Sequence, residues 1–175
     1  MWWIFVSSYL KKCYQEKLDS PYKIKYNKLS DSFLKKVKIT PVANRKRNTI
    51  IMLASLSKSK GVMTFIYASE LLPEYNFQLI ISSDINSIYN FIQKEGYENK
   101  LPSNLNIYPA QSNVHPFFEN ADLILNLTNP SFSIETFGLT ILEAMPYGIP
   151  AIVPNVGAPI ELVAHEYNGL CIDAS

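Results

Sequence analysis

The sequence has few of the residues that form disulfides or bind metals. It contains 2 cysteines, Cys13 and Cys171, with no Cys-x-x-Cys pair, and it contains only 2 histidines and no Asp-x-Asp pair. This pattern predicts neither a disulfide framework nor a zinc site. We therefore expect two free, buried thiols.

Long apolar runs and low-complexity tracts are also missing. No segment approaches the roughly 20 apolar residues that a membrane helix needs. The apolar residues 2–6 lack the basic region and the cleavage site of a signal peptide. Hydrophobic residues make up 47% of the chain and charged residues 18%, which excludes disordered, collagen-like and coiled-coil classes. We expect a globular cytoplasmic protein, or one bound peripherally at the inner face of the membrane.

The charge of the chain is divided unevenly along its length. The first 60 residues carry 14 Lys and Arg against 3 acids, and the remainder carries 2 against 12, although the formal net charge is +1. The first 60 residues are therefore strongly basic, and the remainder is strongly acidic. The basic residues between 11 and 47 could bind the phosphates of a nucleic acid or an anionic membrane surface, and this stays open as an alternative function.

From residue 48 onward, short β-rich runs alternate with helical runs, which is typical of βαβ units in a parallel sheet. The pattern predicts strands at 49–54, 77–82, 105–108, 123–127, 150–153 and 170–172. It predicts helices at 62–72, 85–92, 114–120, 136–147 and 159–166. The fold class is therefore α/β, with a Rossmann-like parallel sheet flanked by helices.

Residues 1–47 show weaker periodicity. They indicate the end of a strand at 5–8, a helix at 9–18, a strand at 22–26 and then a lysine-rich linker. We place a boundary near residue 45, so that residues 1–45 precede a domain formed by residues 46–175.

One candidate site lies in the loop after the first strand of this domain. Ser55, Lys58, Lys60 and Gly61 bring a hydroxyl, two ammonium groups and a glycine to the start of a helix, where an anion is favoured. The spacing matches neither a P-loop nor a Gly-x-Gly-x-x-Gly motif. A solvated surface loop would have the same composition.

A second candidate site contains Glu135 and Glu143. At about 1.5 Å per helical residue the two carboxylates lie roughly 12 Å apart, farther than the about 5 to 9.5 Å of glycoside hydrolases. Such carboxylates could hold the two ends of a nucleotide sugar whose diphosphate rests on the N–H groups of residues 137–139. From the spacing alone, Glu135 could equally complement a helix dipole and Glu143 could be an exposed helical residue.

The same residues resemble a known family. The pattern comprises Glu135-x7-Glu143, then Ala144-Met145-Pro146-Tyr147-Gly148-Ile149-Pro150, then Gly157-Ala158-x-x-Glu161 and Asn168-Gly169. It resembles the donor-binding half of glycosyltransferase family 4, whose members are retaining enzymes with the GT-B fold. The resemblance covers about residues 48–173, and Tyr26-Asn27 is similar to the strand that joins the two domains.

The resemblance implies a domain organisation. Residues 1–45 would be the remnant of an N-terminal acceptor domain with its linker. Residues 46–175 would be the nucleotide-sugar-binding half of the GT-B fold, truncated at its C-terminus. Such a fragment would be inactive alone, because a glycan or lipid-linked acceptor binds the other domain.

The resemblance also implies an activity and residue roles. The enzyme would transfer a hexose with retention to an acceptor hydroxyl in polysaccharide or glycoconjugate biosynthesis, without a metal or other cofactor. Glu135 and Lys60 would be the catalytic residues, with Glu135 on the sugar, Glu143 on the ribose and Lys60 on the diphosphate. The full donor-binding set would be Ser55, Lys58, Lys60, Gly61, Ala110, Gln111, Glu135, Thr136, Phe137, Gly138, Leu139 and Glu143.

Two departures from the family accompany this assignment. Ser55 stands where the family usually has an arginine, and Lys58 can replace its charge but not its planar fork of donors. The catalytic histidine expected on the acceptor domain has no counterpart. A nucleotide-sugar epimerase, which shares the GT-B fold, is a further alternative.

Overall fold

The computed structural model describes residues 2–41 and 48–174. The chain begins with a small βαβ unit formed by β1 (Trp3–Phe5), α1 (Ser8–Cys13) and β2 (Tyr22–Ile24), in which the two strands pair in parallel. A short helix, α2 (Asp31–Leu34), follows. We call β1, α1, β2 and their connections, residues 2–26, the N-terminal unit. The order of its elements is as predicted, but β1 ends at Phe5 rather than at residue 8, and α1 ends at Cys13 rather than at residue 18.

The rest of the described chain alternates strands and helices. The strands are β3 (Thr49–Ala54), β4 (Asn76–Ile81), β5 (Leu105–Tyr108), β6 (Leu123–Leu125), β7 (Ala151–Pro154) and β8 (Gly169–Ile172). The helices are α3 (Val62–Leu71), α4 (Ile85–Lys94), α5 (His115–Glu119) and α6 (Leu139–Ala144). One-turn 3-10 helices lie at Gln15–Lys17, Lys58–Lys60, Met145–Tyr147 and Ala158–Glu161.

These six strands form one sheet in the order β5-β4-β3-β6-β7-β8, and every neighbouring pair is parallel. The chain runs outward from β3 to β5 and then returns to the other side of β3. The direction of strand order therefore reverses between β3 and β6, and ligands of such sheets bind beside the carboxyl ends of the strands at this point.

Two apolar layers cover the sheet, because successive side chains of a strand point to opposite faces. Ile50 and Met52 of β3 pack with α3 and α4, whereas Ile51 packs with α5 and α6. Phe33 and Val37, which precede the predicted boundary, pack against the second layer. The boundary itself, near residue 45, lies outside the described residues.

The structure corrects three further sequence expectations. The helix predicted at 159–166 is one 3-10 turn, because the side chain of Asn168 bonds the backbone of Ala164 and Leu162 and so competes with helical bonding. The helix predicted to begin at residue 136 begins at Leu139. Cys13 is exposed and Cys171 is only partly buried, whereas both thiols were expected to be buried.

Candidate functional site

A pocket of about 370 Å³ opens at the carboxyl edge of the sheet, where the strand order reverses. The ends of β3, β4 and β6 form its floor. Residues of the loops after β3, β5 and β6 and of the start of α6 form its walls. The pocket therefore lies where the topology predicts a ligand site.

Lys60 reaches this pocket from the loop after β3. Ser57 accepts the N–H of Ser59 and starts the 3-10 turn that carries Lys60. Gly61 follows with a φ of +72°, and a Cβ at this position would lie 2.3 Å from the carbonyl oxygen of Leu127. Only glycine permits this approach, so Gly61 holds the Lys60 loop against the loop that leaves β6.

Glu135 lines the same pocket and forms an ion pair with Lys60. The Lys60 Nζ lies 2.7 Å from Glu135 Oε2, and Glu135 Oε1 accepts the N–H of Thr136 at 3.1 Å and of Phe137 at 3.4 Å. Burial raises the pKa of Glu135, but the hydrogen bond and charge of Lys60, together with the two amides, hold this pKa below its usual value. Glu135 is therefore ionised, and its contacts with two amides explain why α6 starts late.

Two distant segments fix the backbone of Glu135 and of the next residue, Thr136. The N–H of Ala158 donates to the Glu135 carbonyl at 2.9 Å, and a Cβ on Gly157 would lie 2.7 Å from that same oxygen. The buried Ser7 donates its hydroxyl to the Thr136 carbonyl at 2.7 Å. We assigned no role to Ser7 or Gly157 from the sequence, where the only signal was the Gly157-Ala158 part of the family pattern.

Half of the predicted donor-binding residues line the pocket. These are Ser55, Lys60, Ala110, Gln111, Glu135 and Leu139. The predicted residues outside its lining are Lys58, Gly61, Thr136, Phe137, Gly138 and Glu143. Lys58 points to the Glu95 carboxylate, 3.0 Å from its Nζ, and 61% of its side chain is exposed.

Glu143 lies on α6, outside the lining of the pocket. Burial raises its pKa, in contrast to that of Glu135. Tyr147 follows four residues later, on the same side of the helical turn, and its hydroxyl contacts the His115 ring. Burial, with the charges of Glu119 and Glu143, raises the pKa of Tyr147 to about 12. The surroundings of the two predicted carboxylates therefore have opposite effects: they lower the pKa of Glu135 and raise the pKa of Glu143.

The structure adds polar pocket residues that the sequence analysis passed over. Asn126 and Thr128 are buried and line the pocket, and the Thr128 N–H donates to Asn126 Oδ1. They follow β6 directly, so polar residues at the end of an apolar strand were the available signal. Their position gives the pocket neutral donors and acceptors beside the Lys60–Glu135 pair.

Glu161 belongs to the family pattern but binds the N-terminal unit. Its carboxylate accepts the N–H of Tyr9 at 2.7 Å, the N–H of Ser8 at 3.0 Å and the hydroxyl of Tyr26 at 2.8 Å. Burial raises the pKa of Glu161, but the hydrogen bonds from Tyr9, Tyr26 and Ser8 lower it overall. Glu161 thus caps the start of α1 and attaches the N-terminal unit beside the pocket.

Two further features are absent from the part of the chain that the structure describes. Residues 2–41 and 48–174 contain no cluster of three or more histidine, cysteine or acidic side chains placed to bind a metal ion. Over the same residues, no helix is both long enough and apolar enough to cross a bilayer.

Comparisons with known proteins identify a family for this chain. A family model described as "Glycosyl transferases group 1" matches residues 35–175. An uncharacterized glycosyltransferase of Methanocaldococcus jannaschii is 25% identical over 126 residues, which cover 70% of this chain and 31% of that protein. A sucrose-phosphate synthase of Spinacia oleracea is 47% identical over 45 residues, which cover 26% of this chain and 4% of that enzyme.

Solved structures share the fold. Anabaena HepE in complex with UDP superposes with a TM-score of 0.73 at 21% identity, covering 97% of this chain and 49% of HepE. A glycosyltransferase from Rickettsia africae gives 0.72 at 19% identity, covering 97% of this chain and 48% of that one. The predicted Rossmann-like α/β fold of GT-B type is confirmed. The chain spans about half of these solved proteins and less than a third of the curated relatives above.

Proposed function

The chain belongs to the group 1 glycosyl transferases, and from this premise we propose that it is the donor-binding half of a retaining enzyme of glycosyltransferase family 4. The proposed reaction transfers a hexose from a nucleotide sugar to an acceptor hydroxyl in polysaccharide or glycoconjugate assembly. The proposed domain division is residues 1–45, from the acceptor domain and linker, and residues 46–175, which bind the donor.

The observation that carries this proposal is the Lys60–Glu135 pair inside the pocket at the reversal of strand order. A cation there can take the negative charge that develops on a departing nucleoside diphosphate, which lowers the barrier to transfer. A carboxylate beside it can accept hydrogen bonds from sugar hydroxyls. This pairing of a cation with a carboxylate suits a sugar that is attached to a diphosphate.

The remaining roles extend along the same edge of the sheet. Ala110 and Gln111, in the pocket wall after β5, are proposed to contact the base, and Glu143 the ribose. The amides of Gly138 and Leu139 are proposed to share the diphosphate with Lys60. No metal is proposed, because the ammonium group supplies the positive charge.

Calorimetric titration with UDP and with GDP tests the proposal. We expect one of them to bind the unsubstituted protein, and Glu143→Ala to weaken that binding about tenfold, since hydrogen bonds to a charged group are lost. Glu98→Ala, which removes an exposed carboxylate that is not part of the pocket lining, is the matched control. Unchanged binding in Glu143→Ala would remove the ribose role, and failure of both nucleotides to bind would contradict the function.

An accessory contact with an anionic membrane is supported by the surface of the N-terminal unit. Trp2 and Ile4 are 61% and 64% exposed, and Lys23 Nζ lies 5.1 Å from the centroid of the Trp2 ring. Aromatic and basic side chains together favour the headgroup region of a bilayer. Cosedimentation with phosphatidylglycerol vesicles should weaken steeply with salt, whereas equal recovery with phosphatidylcholine vesicles would contradict this contact.

A further inference from the structure

The Glu135 carboxylate contacts groups that a donor diphosphate would also seek. Lys60 Nζ and the N–H groups of Thr136 and Phe137 all donate to it. Anions of either kind bind such donors through charge-assisted hydrogen bonds. From this overlap, and resting on the proposed function, we infer that Glu135 competes with the diphosphate and makes the site select a sugar-bearing nucleotide over the bare nucleoside diphosphate.

The competition follows from the burial and charge of the pair. The side chains of Lys60 and Glu135 retain only 28% and 21% of their exposure. Both charges have therefore lost much of their hydration, and each depends on the other for compensation. A diphosphate that takes Lys60 leaves Glu135 without its cation and beside new negative charge. Binding of a bare nucleoside diphosphate therefore carries an electrostatic penalty.

A sugar attached to the diphosphate can offset this penalty. Hydroxyl groups donate hydrogen bonds, and an ionised carboxylate is an acceptor only. The released Glu135 carboxylate can therefore bind sugar hydroxyls that a nucleoside diphosphate lacks. During turnover, the site would therefore bind the donor more tightly than the nucleoside diphosphate product, and the product would dissociate more readily.

The test uses Glu135→Gln, which keeps the size of the side chain and removes its charge. Dissociation constants of UDP, UDP-glucose and inorganic pyrophosphate are measured calorimetrically for this variant and for the unsubstituted protein. We expect UDP and pyrophosphate to bind about tenfold more tightly to the variant. UDP-glucose should gain less, so that the preference for the sugar nucleotide falls.

The matched control is Glu70→Gln, which removes the same charge from an exposed glutamate whose carboxylate accepts the Tyr97 hydroxyl. It should leave all three constants unchanged. Equal or weaker binding of UDP by Glu135→Gln would overturn the inference. Failure of the proposed function looks different, because then neither the variant nor the unsubstituted protein binds UDP or GDP.

A second measurement does not depend on how the variant folds. In the unsubstituted protein, the amide NMR signals of Thr136 and Phe137 report the contact with the Glu135 carboxylate. Saturating pyrophosphate should shift both signals as the carboxylate leaves. Signals that stay in place when pyrophosphate is bound would overturn the competition.

Discussion

At the scale of single residues, Glu135 and Glu143 show how one residue type acquires opposite properties. Glu135 gains a cation and two amide donors, which lower its pKa, whereas Glu143 is desolvated and its pKa rises. At neutral pH the first charge is compensated within the protein. The charge of Glu143 destabilises the folded state, because burial removes its hydration. Such destabilising groups are common where a residue serves function rather than stability.

Replacing Glu143 by glutamine should therefore stabilise the protein at neutral pH. A carboxyl whose pKa is raised on folding contributes stability that is present below its unfolded pKa and is lost as the pH rises through the folded pKa. Glu143→Gln should raise the thermal midpoint at pH 7 by roughly 1 to 3 °C. The gain should vanish at a pH low enough to protonate Glu143 in both states. An equal gain at all pH values would show that burial of the charge is not its cause.

Gly61 gives a prediction about close packing beside Lys60. Gly61→Ala adds a Cβ at 2.3 Å from the Leu127 carbonyl oxygen, whereas Gly96→Ala, at a similar φ of +83°, meets nothing within 4 Å. We expect a loss of about 1 kcal/mol in the free energy of unfolding for Gly96→Ala, from backbone strain alone. Gly61→Ala should lose about 3 kcal/mol or more. Urea denaturation measures both, and equal losses would contradict the packing role of Gly61.

At the scale of elements, the strands of the six-stranded sheet were predictable and the ends of two helices were not. The apolar run at 49–54 coincides with β3, because a strand covered on both faces needs a continuous apolar sequence. The start of α6 and the 3-10 turn near Pro159 depend instead on the side chains of Glu135 and Asn168. These side chains capture backbone groups that a helix would use, and the periodicity of apolar residues does not report such capture.

The residues of the candidate site also include some that the sequence could predict and others that it could not. Lys60 and Glu135 could be placed near each other from the sequence, because both follow strands whose carboxyl ends share one edge. Ser7 and Gly157 could not, because the first contacts the Thr136 carbonyl across 129 residues of sequence and the second acts only by lacking a side chain. Residues that hold the backbone of a site leave no chemical signature in their spacing.

Glu161 yields an element-scale prediction for the docking of α1. Its pKa is lower in the folded state, so its stabilisation is present above the unfolded pKa and is lost as the pH falls through the folded pKa. Glu161→Gln should cost about 1 kcal/mol at pH 7, allowing for its exposure. It should also reduce the loss of stability between about pH 6 and about pH 3. Thermal melts across this range measure the effect, with Glu98→Gln, which should keep the full acid dependence, as control.

At the scale of the whole molecule, the division of charge corresponds only partly to a division of structure. The basic N-terminal unit is attached to the acidic remainder by the Glu161 carboxylate and by the Ser7 hydroxyl. Further along, the rings of Phe33 and His115 pack in a tilted arrangement, with centroids 4.5 Å apart. Residues on both sides of the predicted boundary near residue 45 therefore share one core layer. We expect them to unfold together.

The position of the tryptophans makes this cooperativity measurable. Both tryptophans of the chain, Trp2 and Trp3, lie in the N-terminal unit. Tryptophan fluorescence, excited at a wavelength that tyrosine does not absorb, therefore reports that unit. Far-UV circular dichroism reports mainly the rest of the chain, which contains the ten-residue helices α3 and α4. In the unsubstituted protein, the two signals should change at the same urea concentration, which is the test of a two-state transition. In the double variant Ser7→Ala with Glu161→Gln, both attachments are weakened. Ser7 is also the buried N-cap of α1, where its hydroxyl accepts the N–H of Leu10 at 3.0 Å. Loss of this cap and of the bond to the Thr136 carbonyl should cost about 1 to 2 kcal/mol. The fluorescence transition should then occur at a lower urea concentration than the circular dichroism transition.

Two outcomes would contradict this account of the N-terminal unit. Coincident transitions in the double variant would mean that other contacts attach the unit. Separate transitions in the unsubstituted protein would mean that the unit already unfolds independently.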